Sequence, residues 1–166
     1  VKWANRNGLM NGTDENIFSP NSDITRAMLV TVLYRTEGEP DTNGVSKFND
    51  VDSLAYYNNA VIWAEQNGIV KGYSDTEFAP NDNITREEAA AILSRMVSYL
   101  KLNLPEQSGA NYSDDGEISD WAKENVYDVK KLGVMQGVDN NKFDPKSGYT
   151  KEQAIVTIMR VMKNIK

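Results

Sequence analysis

Apolar residues recur at helical spacing in five stretches of the chain. Ala89, Ile92, Leu93, Met96, Val97 and Leu100 form one stripe, and Leu29, Val32 and Leu33 a second. Ile155, Ile158, Met159, Met162 and Ile165 form a third. Each stripe belongs to a helix predicted to start at a threonine, namely Thr25, Thr85 or Thr150. Thr85-Arg86-Glu87-Glu88 and Thr150-Lys151-Glu152-Gln153 read as capping boxes, in which the fourth residue reaches back to the threonine amide. Thr25-Arg26-Ala27-Met28 keeps the cap but lacks the returning side chain. Two further helices are predicted. One covers 54–67, with Ala60, Val61 and Ala64 on one face; the other starts at Asp120 as its N-cap and carries Val126, Val129 and Leu132. Gly68 and Gly133 then supply glycine C-caps.

These elements are copies of one another. Gly8-Leu9-Met10-Asn11-Gly12, Gly68-Ile69-Val70-Lys71-Gly72 and Gly133-Val134-Met135-Gln136-Gly137 share one pattern. Each is followed at fixed distances by a phenylalanine (Phe18, Phe78, Phe143), a proline (Pro20, Pro80, Pro145), the threonine, a base (Arg26, Arg86, Lys151) and an arginine (Arg35, Arg95, Arg160). The offsets are 60 and then 65 residues at every landmark. Such a period marks a repeat architecture whose units bury their apolar faces on one another. The second repeat opens with Phe48-Asn49-Asp50-Val51 and the third with Tyr112-Ser113-Asp114-Asp115; nothing equivalent precedes Trp3. The expectation is a mainly α fold of three tandem helix-loop-helix repeats, 1–38, 48–101 and 112–166, in a pseudo-threefold arrangement around a three-helix core. Short strands are expected, if anywhere, near Phe18, Phe78 and Phe143. The first repeat reads as incomplete, so the chain is expected to be a fragment. The polar stretches 39–47 and 103–111 read as linkers.

Composition narrows the function. The 166 residues carry a net charge of −6 and no basic run, which argues against a nucleic-acid surface. Neither cysteine nor histidine is present, which removes disulfides, thiolate sites and histidine-based triads. The apolar runs fall far short of the roughly 20 residues of a membrane span. Twenty-four acids give chance pairs but no singled-out catalytic pair, and no segment carries the alternating ligands of a calcium loop. No enzyme, metal or cofactor is expected.

The ordered motifs Phe48-Asn49-Asp50-Val51, Gly68-Ile69-Val70-Lys71-Gly72-Tyr73, Phe78-Ala79-Pro80 and Ile84-Thr85-Arg86-Glu87-Glu88, repeated along nearly the whole chain, resemble the S-layer homology family. The resemblance implies three repeats in a pseudo-threefold assembly, an extracellular place on the bacterial cell surface, and non-covalent attachment of a surface protein to the cell wall. It implies as ligand a secondary cell-wall polysaccharide with pyruvate ketals on N-acetylmannosamine, held in grooves between repeats. The cargo is expected outside this fragment. The competing reading is a protein–protein scaffold of an extracellular protein.

By motif match the carboxylate-facing bases are Arg26, Arg86 and Lys151, and the glycines approached by sugar are Gly12, Gly72 and Gly137. Asp50, Asp114, Glu88 and Trp121 complete the expected ligand set. Bottom-up reasoning supports the bases, because a helix N-terminus offers free amides and partial positive charge to an anion. Arg86→Ala is accordingly expected to weaken wall binding with little loss of fold. Other roles stay open. The bases can pair with carboxylates, and the glycines can serve positive φ. Asp50 and Asp114 can be turn residues, and Trp3, Trp63 and Trp121 can be core. Arg35, Arg95 and Arg160 are expected to be structural. Met28 and Gln153 depart from the motif acid, and with an incomplete first repeat at most two intact grooves are expected.

Overall fold

The structure, a computed structural model, describes residues 19–106 and 110–165. Trp3, Gly12 and Phe18 lie outside the described residues. The fold is mainly helical: α1 (Arg26–Thr36), α2 (Asn58–Gln66), α3 (Arg86–Tyr99), α4 (Asp120–Lys131) and α5 (Lys151–Asn164), with short 3-10 turns at Asp115–Glu117 and Asp139–Asn141.

The caps form as their sequences dictate. Thr85 with Glu88 and Thr150 with Gln153 make reciprocal capping boxes, whereas Thr25 accepts only the amide of Met28. Gly68 (φ +68) and Gly133 (φ +63) close α2 and α4. The amides of Ile69 and Val134 donate back to the carbonyls of Ala64 and Val129, the Schellman pattern. This turn sends Ile69, Val70, Val134 and Met135 into the core. Helix α2 starts at Asn58 rather than Leu54. The Asp52 carboxylate takes the Leu54 amide at 2.9 Å, a local turn that competes with helix, and Leu54 is left exposed. Ser119, not Asp120, precedes the first turn of α4.

The pseudo-threefold centre is a closed ring of backbone bonds. The amide of Ile24 donates to the carbonyl of Tyr149 at 2.9 Å, that of Ile84 to Ile24 at 3.0 Å, and that of Tyr149 to Ile84 at 3.0 Å. All three side chains are fully buried. Among the described residues no strand forms; the extended pairing is limited to isolated bridges. Three of them lie beside the ring, Asp23 with Thr150, Thr25 with Asn83 and Thr85 with Gly148, rather than at the phenylalanines. Helices α1, α3 and α5 therefore meet at their N-terminal ends. Along their lengths the extensive contacts are α1 against α2 and α3 against α4, each pairing consecutive repeats. Trp63 is buried between the rings of Tyr34 and Tyr99, each centroid 5.7 Å away, and so belongs to the core.

Candidate clefts between repeats

Each repeat locks onto the next through the start of its second helix. The first-turn amides of Arg26, Arg86 and Lys151 donate to the carbonyls of Asp82, Ser147 and Ser22, all at 3.0 Å. The next amides, of Ala27, Glu87 and Glu152, donate to Pro80, Pro145 and Pro20, again at 3.0 Å. The threonine caps take another amide each. The free amides expected at these helix ends are thus already satisfied by the neighbouring repeat. The N-termini of α1, α3 and α5 are therefore closed to an anion.

The bases behave likewise. Arg26 is 4% exposed; its Nε donates to the Phe78 carbonyl at 2.8 Å and its Nη2 to Lys71 at 3.2 Å. Its guanidinium lies 4.4 Å from the Tyr73 ring centroid and 4.9 Å from that of Phe78. Arg86 is 3% exposed and repeats the geometry, with Nε on Phe143 at 2.8 Å and Nη2 on Gln136 at 3.0 Å. Burial lowers its pKa, and no described carboxylate pairs with it. Lys151 is equally buried. Arg26 and Arg86 are bolts between repeats, so Arg86→Ala is now expected to cost stability as well as binding. Removing Arg86 would take a charged donor from the Phe143 and Gln136 carbonyls.

Asp50 and Asp114 stand behind these joints. The Asp50 carboxylate accepts the amides of Phe78 and Ala79, the latter at 2.6 Å. Asp114 accepts those of Phe143 (2.8 Å) and Asp144 (2.7 Å). Ala79 (φ +56) and Asp144 (φ +58) adopt the left-handed region just before proline, a conformation costing about 1 kcal/mol or more for an L-residue. The two carboxylates hold this strained turn so that the Phe and Pro carbonyls face the preceding repeat. Burial opposes ionisation of Asp114, but the Phe143 and Asp144 amides together hold its pKa below the usual carboxylate value. Both side chains are spent on backbone, which is the turn role.

Gly72 and Gly137 do not have positive φ. A Cβ on Gly72 would sit 2.3 Å from the carbonyl oxygens of Glu77 and Ser74 and 2.6 Å from the Phe48 ring. On Gly137 it would meet Lys142 O at 2.5 Å and the Tyr112 ring at 2.8 Å. Their glycine identity follows from the crowding inside their own loops.

Two open clefts lie beside the bolts. The 1/2 cleft, about 340 Å³, is lined by Arg26, Gly72, Tyr73, Glu88, Arg95 and Trp121, among others. It therefore draws on all three repeats. Glu88 works twice: Oε2 completes the capping box, while Oε1 accepts the Tyr73 hydroxyl at 2.7 Å and lies 3.8 Å from Arg26. Burial first, then that hydrogen bond, push the Tyr73 phenol up to about 12. Trp121 is 56% exposed at the rim. Arg95 makes no hydrogen bond or ion pair among the described residues, and burial followed by the like charge of Arg26 lowers its pKa. The 2/3 cleft, about 200 Å³, is lined by Arg86, Gln136, Gly137, Val138, Gln153 and Arg160, among others. Arg160 there donates to Val134 O (3.4 Å) and Gln136 Oε1 (3.3 Å).

The structure thus gathers Arg26, Gly72, Glu88 and Trp121 in one cleft and Arg86 with Gly137 in another, and it sets Asp50 and Asp114 behind them. The third equivalent position would involve Gly12, outside the described residues. Arg95 and Arg160 were expected to be structural, yet they line the clefts. Helical spacing carries the signal: Glu88, Ile92 and Arg95 fall on one face of α3.

Comparison with known proteins agrees with this architecture. The sequence profile of the S-layer homology domain matches residues 1–27, 47–90 and 111–155. The chain is 35% identical over 156 residues to an amylopullulanase of Thermoanaerobacterium thermosulfurigenes, covering 93% of this chain and 8% of the relative. It is 35% identical over 156 residues to an endoglucanase of Bacillus sp. (strain KSM-635), covering 93% and 16%. It is 32% identical over 164 residues to the surface-layer 125 kDa protein of Lysinibacillus sphaericus, covering 95% and 13%. The chain thus spans less than a fifth of the length of each of these relatives. With the profile covering well over half of it, at three places spaced as the repeats are, the chain belongs to the S-layer homology family and is an extracellular, cell-surface anchoring module.

Proposed function

We propose that the chain attaches a surface protein to the bacterial cell wall by gripping an acidic secondary cell-wall polysaccharide, pyruvylated on N-acetylmannosamine, in the 1/2 cleft. The observation that carries this reading is the pairing of a half-buried guanidinium (Arg95), without a partner among the described residues, with an exposed indole (Trp121) in one cleft. A guanidinium offers a planar fork to a carboxylate, and an aromatic face offers a platform to a sugar ring. A pyruvate ketal on a pyranose presents both at once. Glu88 and the Tyr73 hydroxyl add polar groups for sugar hydroxyls.

The same inventory argues against glycoside hydrolysis. That chemistry generally needs two carboxyl groups flanking one bond. Among the described residues the 1/2 cleft is lined by one carboxylate and the 2/3 cleft by none. Sedimentation with protein-free cell walls, before and after mild-acid removal of the pyruvate ketal, tests the proposal. Binding to the first and its loss on the second are expected. Equal binding to both, or none to either, would overturn it, and the latter would favour the protein–protein scaffold.

A further inference from the structure

The two described clefts are built on the same bolt but differ in what they leave available. In the 1/2 cleft, Arg95 has no partner among the described residues, the neighbouring cation is Arg26, and the rim carries Trp121 and Tyr73. In the 2/3 cleft, Arg160 is folded onto its own loop, bonded to Val134 O and Gln136 Oε1. Val138 stands where Tyr73 stands and Gln153 where Glu88 stands. Tyr149, the aromatic residue lining it, is fully buried, its hydroxyl closed onto Thr157 at 2.7 Å. No exposed aromatic residue lines that cleft among the described residues.

We infer that Arg95, the recurrent arginine nine residues beyond the motif base, is the group that binds the ligand carboxylate, and that the 1/2 cleft is the stronger of the two described sites. This inference rests on the polysaccharide reading above. Arg95 is partly buried near the like charge of Arg26, and the one acid lining the cleft among the described residues, Glu88, lies against Arg26; a ligand carboxylate would give Arg95 the partner it lacks there. Arg26 cannot take this part alone, because two of its nitrogens are already committed to carbonyls and its faces to Tyr73 and Phe78. It supplies field, and Arg95 supplies the free donors. Trp121, from the third repeat, covers the ring of the same sugar, so the site is assembled only when α4 is docked on α3.

The experiment compares Arg95→Ala, Arg160→Ala and Trp121→Ala in the whole chain. Binding is measured by calorimetry to solubilised wall polysaccharide, with and without its pyruvate ketals. Arg95→Ala should weaken binding to the pyruvylated polymer by about 10- to 100-fold, the scale of a charge-assisted contact. It should have no further effect on the depyruvylated polymer. Its melting temperature should stay within about 3 °C of the parent, since Arg95 holds nothing in the fold. Trp121→Ala should weaken binding to both polymers, and Arg160→Ala should change either by less than about twofold. Arg160→Ala matching Arg95→Ala, or a pyruvate-independent loss in Arg95→Ala, would overturn the inference while leaving wall binding standing. Failure of the parent protein to bind either polymer would remove the polysaccharide reading itself.

Discussion

The joint between the first and second repeats and the joint between the second and third use one device in two settings. Both insert an arginine from a helix start under two carbonyls of the following repeat, and both brace the receiving turn with an aspartate. In the first joint the guanidinium is stacked on Tyr73 and Phe78 and has Glu88 at 3.8 Å. In the second, Arg86 has the Phe143 ring 5.1 Å away and no ion pair among the described residues; the acid that bridges the joint is instead Glu87, one residue on. Glu87 is 4% exposed, accepts the amide and hydroxyl of Ser119 at 3.0 Å each, and pairs with Lys146. The first repeat has Ala27 at that position. One joint thus places its carboxylate inside the cleft, and the other places it on the far side as a clasp. An acid in the cleft keeps the site polar and connected to Tyr73; an acid in the clasp strengthens the dock and leaves the cleft plain.

The largest expected effect is Arg86→Ala. Two carbonyl acceptors lose a charged donor in a buried setting, and we expect about 3 kcal/mol of destabilisation in urea titration. Arg26→Ala should cost less, because its bond to the Lys71 carbonyl, at 3.2 Å, is longer than the 3.0 Å bond of Arg86 to Gln136, and Glu88 keeps its capping bonds. Reversed order would mean that the stacked rings, not the carbonyls, carry the joint. Next comes the brace. Asp114→Asn should cost about 2 kcal/mol at neutral pH, since two charge-assisted amide bonds weaken. Asp50→Asn should cost less, because Asp50 is exposed whereas Asp114 is 6% exposed. The folded pKa of Asp114 is depressed, so its contribution is complete above the unfolded value of about 4 and fades as pH falls through the folded value. Urea titrations at pH 7 and pH 3 should show the gap between parent and Asp114→Asn narrowing in acid. A gap independent of pH would assign the loss to packing.

Local signals were legible in the sequence and distant ones were not. The capping boxes at Thr85 and Thr150 and the glycine turns at Gly68 and Gly133 depend on residues within about one turn of each other, and all formed as read. The repeat period likewise announced a pseudo-threefold assembly. What Arg26 and Arg86 do was hidden, because their acceptors lie between 45 and 57 residues away. A first-turn arginine reads as a ligand for anions until the neighbouring carbonyls are in place. The crowding at Gly72 and Gly137 was equally hidden: rings of Phe48 and Tyr112, more than twenty residues upstream, remove the room for a side chain. That Arg95 lines the 1/2 cleft could be read in part from its helical register with Glu88, but its having no partner among the described residues could not.

The smallest effect gives the sharpest test of the comparison. Gln153 is the second joint's counterpart of Glu88, and it already returns to the Thr150 amide at 3.3 Å. Gln153→Glu keeps that bond and adds a negative charge in the first turn of α5, where the helix dipole favours it. It also places a carboxylate across from Arg86, as Glu88 lies across from Arg26. The combined gain should be about 0.5–1 kcal/mol. It should survive moderate salt better than a surface pair would, because Arg86 is buried. A gain of that size would show that the acid of the first joint is a transferable part of the device. A loss would show that Arg86 has settled, through the Glu87 clasp, into a setting that takes no acid directly across from it, and that the two joints are no longer interchangeable.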